Sequence, residues 1–303
     1  MSVDHLLATS EHIPAGAAGD GPVVVLVHGS LDRAGSFARV TRRLKDLHTL
    51  AYDRRGYHRS RTAAPIEAAP VDAAPVDSAP VDAAPGEPLL ADLSALDRHI
   101  ADLVAVIDGR PAVVVGHSYG GVIALGAALG AALGADRPGS ILAVAAYEPP
   151  LPWLGSWATR RGRSGNTPRR ADEDHGMVAE RFFRRMVGDS AWDRLPEEAK
   201  EARRADGAAL SAEIAALRRD DAPFDIAALT IPAVFGRGTA SLPHHREAVT
   251  WLLEHVPGSK LVEFDGAGHG AHLTHPDAFA RFVRDAVALA DGGVRGRPST
   301  PAG

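Results

Sequence analysis

The stretch Pro111-Ala-Val-Val-Val-Gly-His-Ser118-Tyr-Gly-Gly121 constrains the fold of this 303-residue chain more than any other. Ala112 to Val115 form a short β-branched run suited to a strand buried on both faces, and Tyr119 to Leu133 read as a closely packed Ala/Leu-rich helix. Between them Gly116-His-Ser118-Tyr-Gly120 is a Gly-x-Ser-x-Gly motif. A strand that passes into a helix through so few residues must turn sharply, with glycine where the elements meet so that no Cβ clashes. Such a turn strains the serine and holds its hydroxyl near the positive end of the helix, which makes Ser118 the candidate nucleophile.

The rest of the chain repeats this strand–helix rhythm. Strands are predicted at Val23 to Val27, Thr49 to Tyr52, Ala112 to Val115, Ile141 to Tyr147, Ala233 to Gly236 and Leu261 to Phe264. Helices are predicted at Gly35 to Leu47, Leu89 to Ile107, Tyr119 to Leu133, Arg246 to His255 and Asp277 to Ala290. The alternation implies an α/β fold, a mostly parallel central sheet with helices on both faces. Before Pro22 the pattern supports a weak opening hairpin at most.

Three segments depart from the rhythm. Residues 64–88 carry an Ala-Ala-Pro-Val-Asp repeat whose regular prolines cannot continue a helix, so a disordered insertion is expected there. Residues 151–225 lose the strands and show helical patterns at Ala171 to Val187 and Pro196 to Arg218, the mark of a helical cap. The core is then 1–150 plus 226–290, and 291–303 read as a disordered tail. The cap holds Trp153, Trp157 and Trp192, with Phe182, Phe183 and Met186. Of these, Trp153, Trp157, Phe182, Phe183 and Met186 are the expected lining of an apolar substrate pocket.

Composition narrows the partners. A formal charge of −5 provides no overall basic field, so neither nucleic acid nor a membrane is expected as a partner, and a small molecule is. The arginines from Arg160 to Arg170 read as a solvated local patch. With no cysteine there is no disulfide, thiolate nucleophile or cysteine-bound metal, and no cofactor or metal is expected. The first twelve residues lack an apolar signal core and no run of about 18 apolar residues occurs, which predicts a cytoplasmic protein.

A serine hydroxyl needs a base within reach and donors for the developing oxyanion. Phe264-Asp-Gly-Ala-Gly-His269-Gly-Ala-His272 follows the last strand, and its glycines allow a tight loop that presents His269 as the base. His272 and His275 are placed at the start of the next helix or as its cap. The oxyanion donors are backbone N–H groups: that of Tyr119, directly after the nucleophile, and that of Ser30 or Leu31 in the loop Val27-His-Gly29-Ser-Leu31.

With these parts assembled, the chain resembles the α/β-hydrolase-fold superfamily. The matching motifs are His28-Gly29, Asp53-Arg54-Arg55-Gly56, Gly116-His-Ser118-Tyr-Gly-Gly121 and Gly268-His269, which span about 22 to 290. His58 departs from the resemblance, standing where relatives commonly carry glycine, while Ser60 keeps the end of that segment. In many relatives the acid follows the seventh strand, yet Thr230 to Arg246 contains no carboxylate. Glu148 in Tyr147-Glu-Pro-Pro150 lies directly after the sixth strand as this sheet is usually counted, a position some relatives use, and is the expected acid.

The resemblance implies a serine hydrolase that cleaves a carboxylic ester, thioester or lactone of a small to medium apolar substrate through Ser118, His269 and Glu148. Carbon–carbon hydrolysis, haloperoxidase-like chemistry or acyl transfer would use the same three residues. A non-catalytic small-molecule-binding protein of the same fold is the reading from another class.

Overall fold

The computed structural model describes residues 7–14, 21–62, 93–130, 141–154, 174–218 and 221–295, with side chains described to residue 292. The repeat at 64–88, Trp157, the arginines of 160–170 and the chain end beyond residue 295 lie outside these residues.

The described residues form one sheet from β1 (Thr9–His12), β2 (Val23–Val27), β3 (Thr49–Tyr52), β4 (Ala112–His117), β5 (Ile141–Tyr147), β6 (Ala233–Gly238) and β7 (Lys260–Phe264). Their order is β1-β3-β2-β4-β5-β6-β7, with β1 antiparallel to β3 and every other pair parallel. β4 runs two residues further than its β-branched run because Gly116 and His117 still pair with Ala146 and Tyr147 of β5. Among the described residues before Pro22, β1 pairs with β3, and the Ala8 N–H donates to Ser60 Oγ at 2.9 Å.

The helices, in chain order, are α1 (Ala38–Thr41), α2 (Ala95–Ile107), α3 (Tyr119–Ala128), α4 (His175–Val187), α5 (Asp189–Asp193), α6 (Glu197–Ala205), α7 (Gly207–Ala216), α8 (Pro243–His255), α9 (Ala271–Thr274) and α10 (Pro276–Arg295). Strand pleating divides the interior into two layers. Val23, Val25, Val27 and Val114 face α2, α3 and α8, while Val24, Leu26, Val113 and Val115 face α1 and α10. Each such side chain contributes about 1.5–3 kcal/mol on full burial, so one run of valines anchors both layers.

Two helical expectations change. The stretch from Gly35 to Leu47 is a 3-10 turn at Ala34–Phe37, a single turn of α1, and then bonds spaced three residues apart, from Arg43 N–H to Val40 O and Leu44 N–H to Thr41 O. That tighter winding brings Phe37, Val40 and Leu44 fully into the core. The stretch from Pro196 to Arg218 breaks at Asp206, and α7 starts at Gly207, where a Cβ would stand 2.1 Å from the His175 carbonyl oxygen. At the chain end α10 runs on to Arg295, past Ala290, burying Phe279, Phe282, Val283 and Ala286.

Helices α4 to α7 all lie between β5 and β6. α4 and α7 meet the sheet domain through Leu31, packed with Val178, Ala179 and Leu210, and through Tyr57, packed with Ala209 and Ala212. Trp192 is buried under the guanidinium groups of Arg184 and Arg204 at 5.7 and 5.4 Å. Among the described residues no helix is long and apolar enough to cross a membrane.

Candidate active site

Ser118 stands between β4 and α3 with φ 54° and ψ −126°, a conformation that L residues rarely adopt. The glycines on either side make it possible: a Cβ on Gly116 would lie 2.2 Å from the Gly120 carbonyl oxygen, and one on Gly120 would lie 2.2 Å from that of Val27. The Ser118 N–H is tied to the Tyr147 carbonyl at 2.9 Å, and its half-buried hydroxyl makes no capping bond to α3. Of the five non-glycine residues with positive φ among the described residues, three are Leu31, Ser118 and Glu148. Backbone strain of this kind costs of order 1–3 kcal/mol per residue and is concentrated here, as it is at functional sites.

Glu148 follows β5 and is fully buried. Its Oε1 accepts from the Gly238 N–H at 2.8 Å, and its Oε2 lies 2.8 Å from His269 Nδ1. A carboxylate oxygen only accepts, so Nδ1 carries a proton, and in the neutral ring Nε2 then holds the lone pair. The His269 loop is held from beneath: Tyr147 Oη donates to the Gly268 carbonyl at 2.9 Å, and His117 Nε2 donates to the His269 carbonyl at 2.8 Å. Burial, reinforced by neighbouring His272 and His269, holds His117 well below the usual histidine range, so it is neutral.

The loop after β2 passes directly beside the serine, since a Cβ on Gly29 would lie 3.0 Å from Ser118 Cβ. Leu31 takes φ 54°, and the Ser30 hydroxyl donates to Glu213 Oε2 of α7 at 2.5 Å. The arrangement thus brings a strained serine, a carboxylate-bound imidazole and a loop of candidate N–H donors to the carboxyl edge of a parallel sheet. That is where open α/β sheets bind ligands.

The profile of the Alpha/beta hydrolase family matches residues 24–282. The chain belongs to the alpha/beta hydrolase family. It is 30% identical over 274 residues to the polyketide synthase ThaQ of Burkholderia thailandensis, an alignment covering 86% of this chain and 11% of that one, so the chain spans about a tenth of that relative's length. Among solved structures, the fold is similar to the enol-lactonase of Burkholderia xenovorans (TM-score 0.60, 19% identity, 92% and 96% of the two chains). It is also similar to a thermophilic esterase of Thermogutta terrifontis (TM-score 0.61, 20% identity, 94% and 93%).

In this alpha/beta hydrolase the departure at His58 has a structural counterpart. His58 takes φ 45°, a conformation glycine adopts at no steric cost, and its Nδ1 lies 3.0 Å from the buried Asp53 Oδ2. Asp53 Oδ1 in turn accepts from the Ala34 N–H at 2.8 Å. His272 lies on the short α9, ahead of the helix predicted from Asp277, with Nε2 3.1 Å from Asp32 Oδ2, and His275 follows it.

Sequence reasoning missed His245. It occupies the region after β6 where no carboxylate was found, is buried, and stacks on His269 with ring centroids 4.1 Å apart and planes 13° from parallel. Two adjacent histidines in an otherwise acid-free segment, at the start of α8, were the available signal. Glu148, His245 and His269 each offer a ligand atom within 4.8 Å of the others, as do Asp32, His117 and His272. In the first set the imidazoles are nearly parallel, so their in-plane lone pairs do not converge, and a shared ion would require one ring to rotate. In the second set Asp32 Oδ2 and His272 Nε2 are already bonded to each other.

The expected aromatic lining divides. Phe182 packs with Val178, Ala179 and Leu210 beside Leu31. Phe183 turns toward the helical segment, with its ring centroid 5.4 Å from that of Trp192, because adjacent helical residues point about 100° apart. Trp153 meets Phe224 edge-on at 6.4 Å, and Met186 is half-buried on α4. Two surface clefts of about 340 and 310 Å³ lie elsewhere, lined by residues such as Val262 and Arg281 or Leu7 and Arg110.

Proposed function

We propose that the chain is a serine hydrolase that cleaves a carboxylic ester, thioester or lactone of a small to medium apolar molecule through an acyl-enzyme. The observation that carries this reading is the 2.8 Å contact between His269 Nδ1 and the buried Glu148 Oε2, which leaves Nε2 as a base in a loop at the same sheet edge as Ser118. Ser118 Oγ attacks the carbonyl carbon and passes its proton to His269 Nε2. Glu148 holds the ring in the required tautomer and stabilises the imidazolium. The N–H groups of Tyr119 and of Ser30 or Leu31 receive the oxyanion. His269 then returns the proton to the leaving oxygen or sulfur, and water attacking through the same base releases the acid.

The lactone and ester parts of the substrate range draw on the names of two similar proteins, an enol-lactonase and an esterase. The deciding experiment is labelling with a fluorophosphonate probe. The native chain is expected to label and Ser118→Ala to lose the label. A native chain that stays unlabelled defeats the proposal and favours a binding protein. Aryl esters of increasing acyl length then size the pocket.

A further inference from the structure

Beside the oxyanion loop lies a buried charge pair that the proposed chemistry does not use. Arg54, fully buried in the loop after β3, donates from Nε to the His28 carbonyl at 2.9 Å and from Nη2 to the Gly29 carbonyl at 3.0 Å. Its Nη1 donates to Glu213 Oε1 at 2.5 Å, and Glu213 Oε2 accepts from the Ser30 hydroxyl at 2.5 Å. Three consecutive loop residues, His28, Gly29 and Ser30, are therefore held by one ion pair. His28 tightens the grip: its Nδ1–H donates to the Gly29 carbonyl at 2.8 Å, and its Nε2 accepts the Arg54 N–H at 2.9 Å.

The geometry has a direct effect on the donors. A trans peptide is planar, with C=O and N–H pointing in opposite directions. Holding the Gly29 carbonyl on Arg54 and His28 therefore aims the Ser30 N–H to the opposite side. Without that hold the peptide can rotate and carry the Ser30 N–H, a candidate oxyanion donor, with it. Glu213 reaches the loop from α7, 183 residues along the chain from Ser30, so the seat of the helical segment is wired to the loop.

We propose that Glu213 and Arg54 are positioning residues for the oxyanion loop, and that docking of α7 through Glu213 sets the loop for catalysis. The inference rests on the serine hydrolase reading above. Around the pair, His99 Nε2 lies 3.2 Å from both Arg54 Nη1 and Glu213 Oε1, and the Tyr57 and Tyr119 rings lie 4.7 and 5.2 Å from the guanidinium carbon. The pair is thus enclosed and unscreened, as a rigid clamp requires.

The test is the rate at which a fluorophosphonate labels the full chain, followed across pH, because phosphonylation develops negative charge on an oxygen without requiring the natural substrate. Ser30→Ala removes only the hydroxyl that joins loop to helix. It is expected to slow the limiting rate about tenfold, less than the loss of a whole oxyanion donor. The pH midpoint should not move, since Glu148 and His269 are untouched, and Ser30→Thr should restore most of the rate. Arg54→Met combined with Glu213→Leu removes the clamp while filling its space, and is expected to lose roughly 100-fold while still unfolding cooperatively. A Ser30→Ala rate within about threefold of native, or a loss accompanied by a shifted pH midpoint, overturns the clamp. Ser30→Ala decides this even if the paired variant fails to fold. Absence of Ser118-dependent labelling in the native chain defeats the underlying hydrolase reading instead.

Discussion

Glu148 and Glu213 are two carboxylates removed from water on either side of one loop system, and they differ in what faces them. Glu148 meets a backbone N–H and an imidazole, a ring that can hold a proton on either nitrogen. Glu213 meets Arg54, which never releases its proton, together with His99 and the Ser30 hydroxyl. Burial alone would raise the Glu213 pKa, but the Arg54 charge and the His99 contact hold it down at about 2. The same side chain thus suits proton-coupled chemistry in one setting and fixed architecture in the other, and the partner's proton affinity makes the difference.

The largest effect that could break this comparison is on turnover. Glu148→Gln is expected to lower kcat with an aryl ester by about 10⁴-fold, since the amide favours the wrong imidazole tautomer, while the fold persists. Activity at the native level would remove Glu148 from the mechanism. Next comes stability. Glu213→Ala strands the buried Arg54 charge and is expected to cost about 3–5 kcal/mol in urea unfolding, whereas Glu148→Gln keeps an acceptor for the Gly238 N–H and costs well under half of that. Equal costs would mean that the two carboxylates are not distinct in kind.

The smallest effect is the pH dependence of folding, which sharpens the comparison. Burial, helped by the Arg54 charge, lowers His28 to about 4 from its ordinary 6.5. The unfolded chain binds that proton first, so stability falls as pH drops from about 6.5 to 4. Glu213 is depressed from 4.5 to about 2, so its contribution is complete above about 4.5 and drains as pH falls toward 2. Urea midpoints at pH 7, 5 and 3 should decline through both windows. In the paired Arg54→Met, Glu213→Leu variant the lower window should flatten while most of the upper persists, and an unflattened lower window would show that other carboxylates carry it.

Much of the site was legible because its signals are local. Strand positions follow from short apolar runs, the turn at Ser118 from its two glycines, and the candidates His269 and Glu148 from the loops that follow strands. Helix continuity was less legible. The stretch from Gly35 to Leu47 has helical composition, but burying Phe37, Val40 and Leu44 together selected tighter turns. Phe182 and Phe183 look alike in sequence, yet one packs beside Leu31 and the other against Trp192.

The chain's own order of residues determined the strand–helix alternation, the strained serine and the loops that carry His269 and Glu148, because each depends on neighbours within a few positions. Tertiary packing decided the rest: His245 stacked on His269, and Glu213 joined to Ser30 and Arg54 across 183 and 159 positions. Hydrogen bonds and ion pairs act over a few ångströms of space irrespective of separation along the chain, and only the packed fold specifies which distant groups come that close.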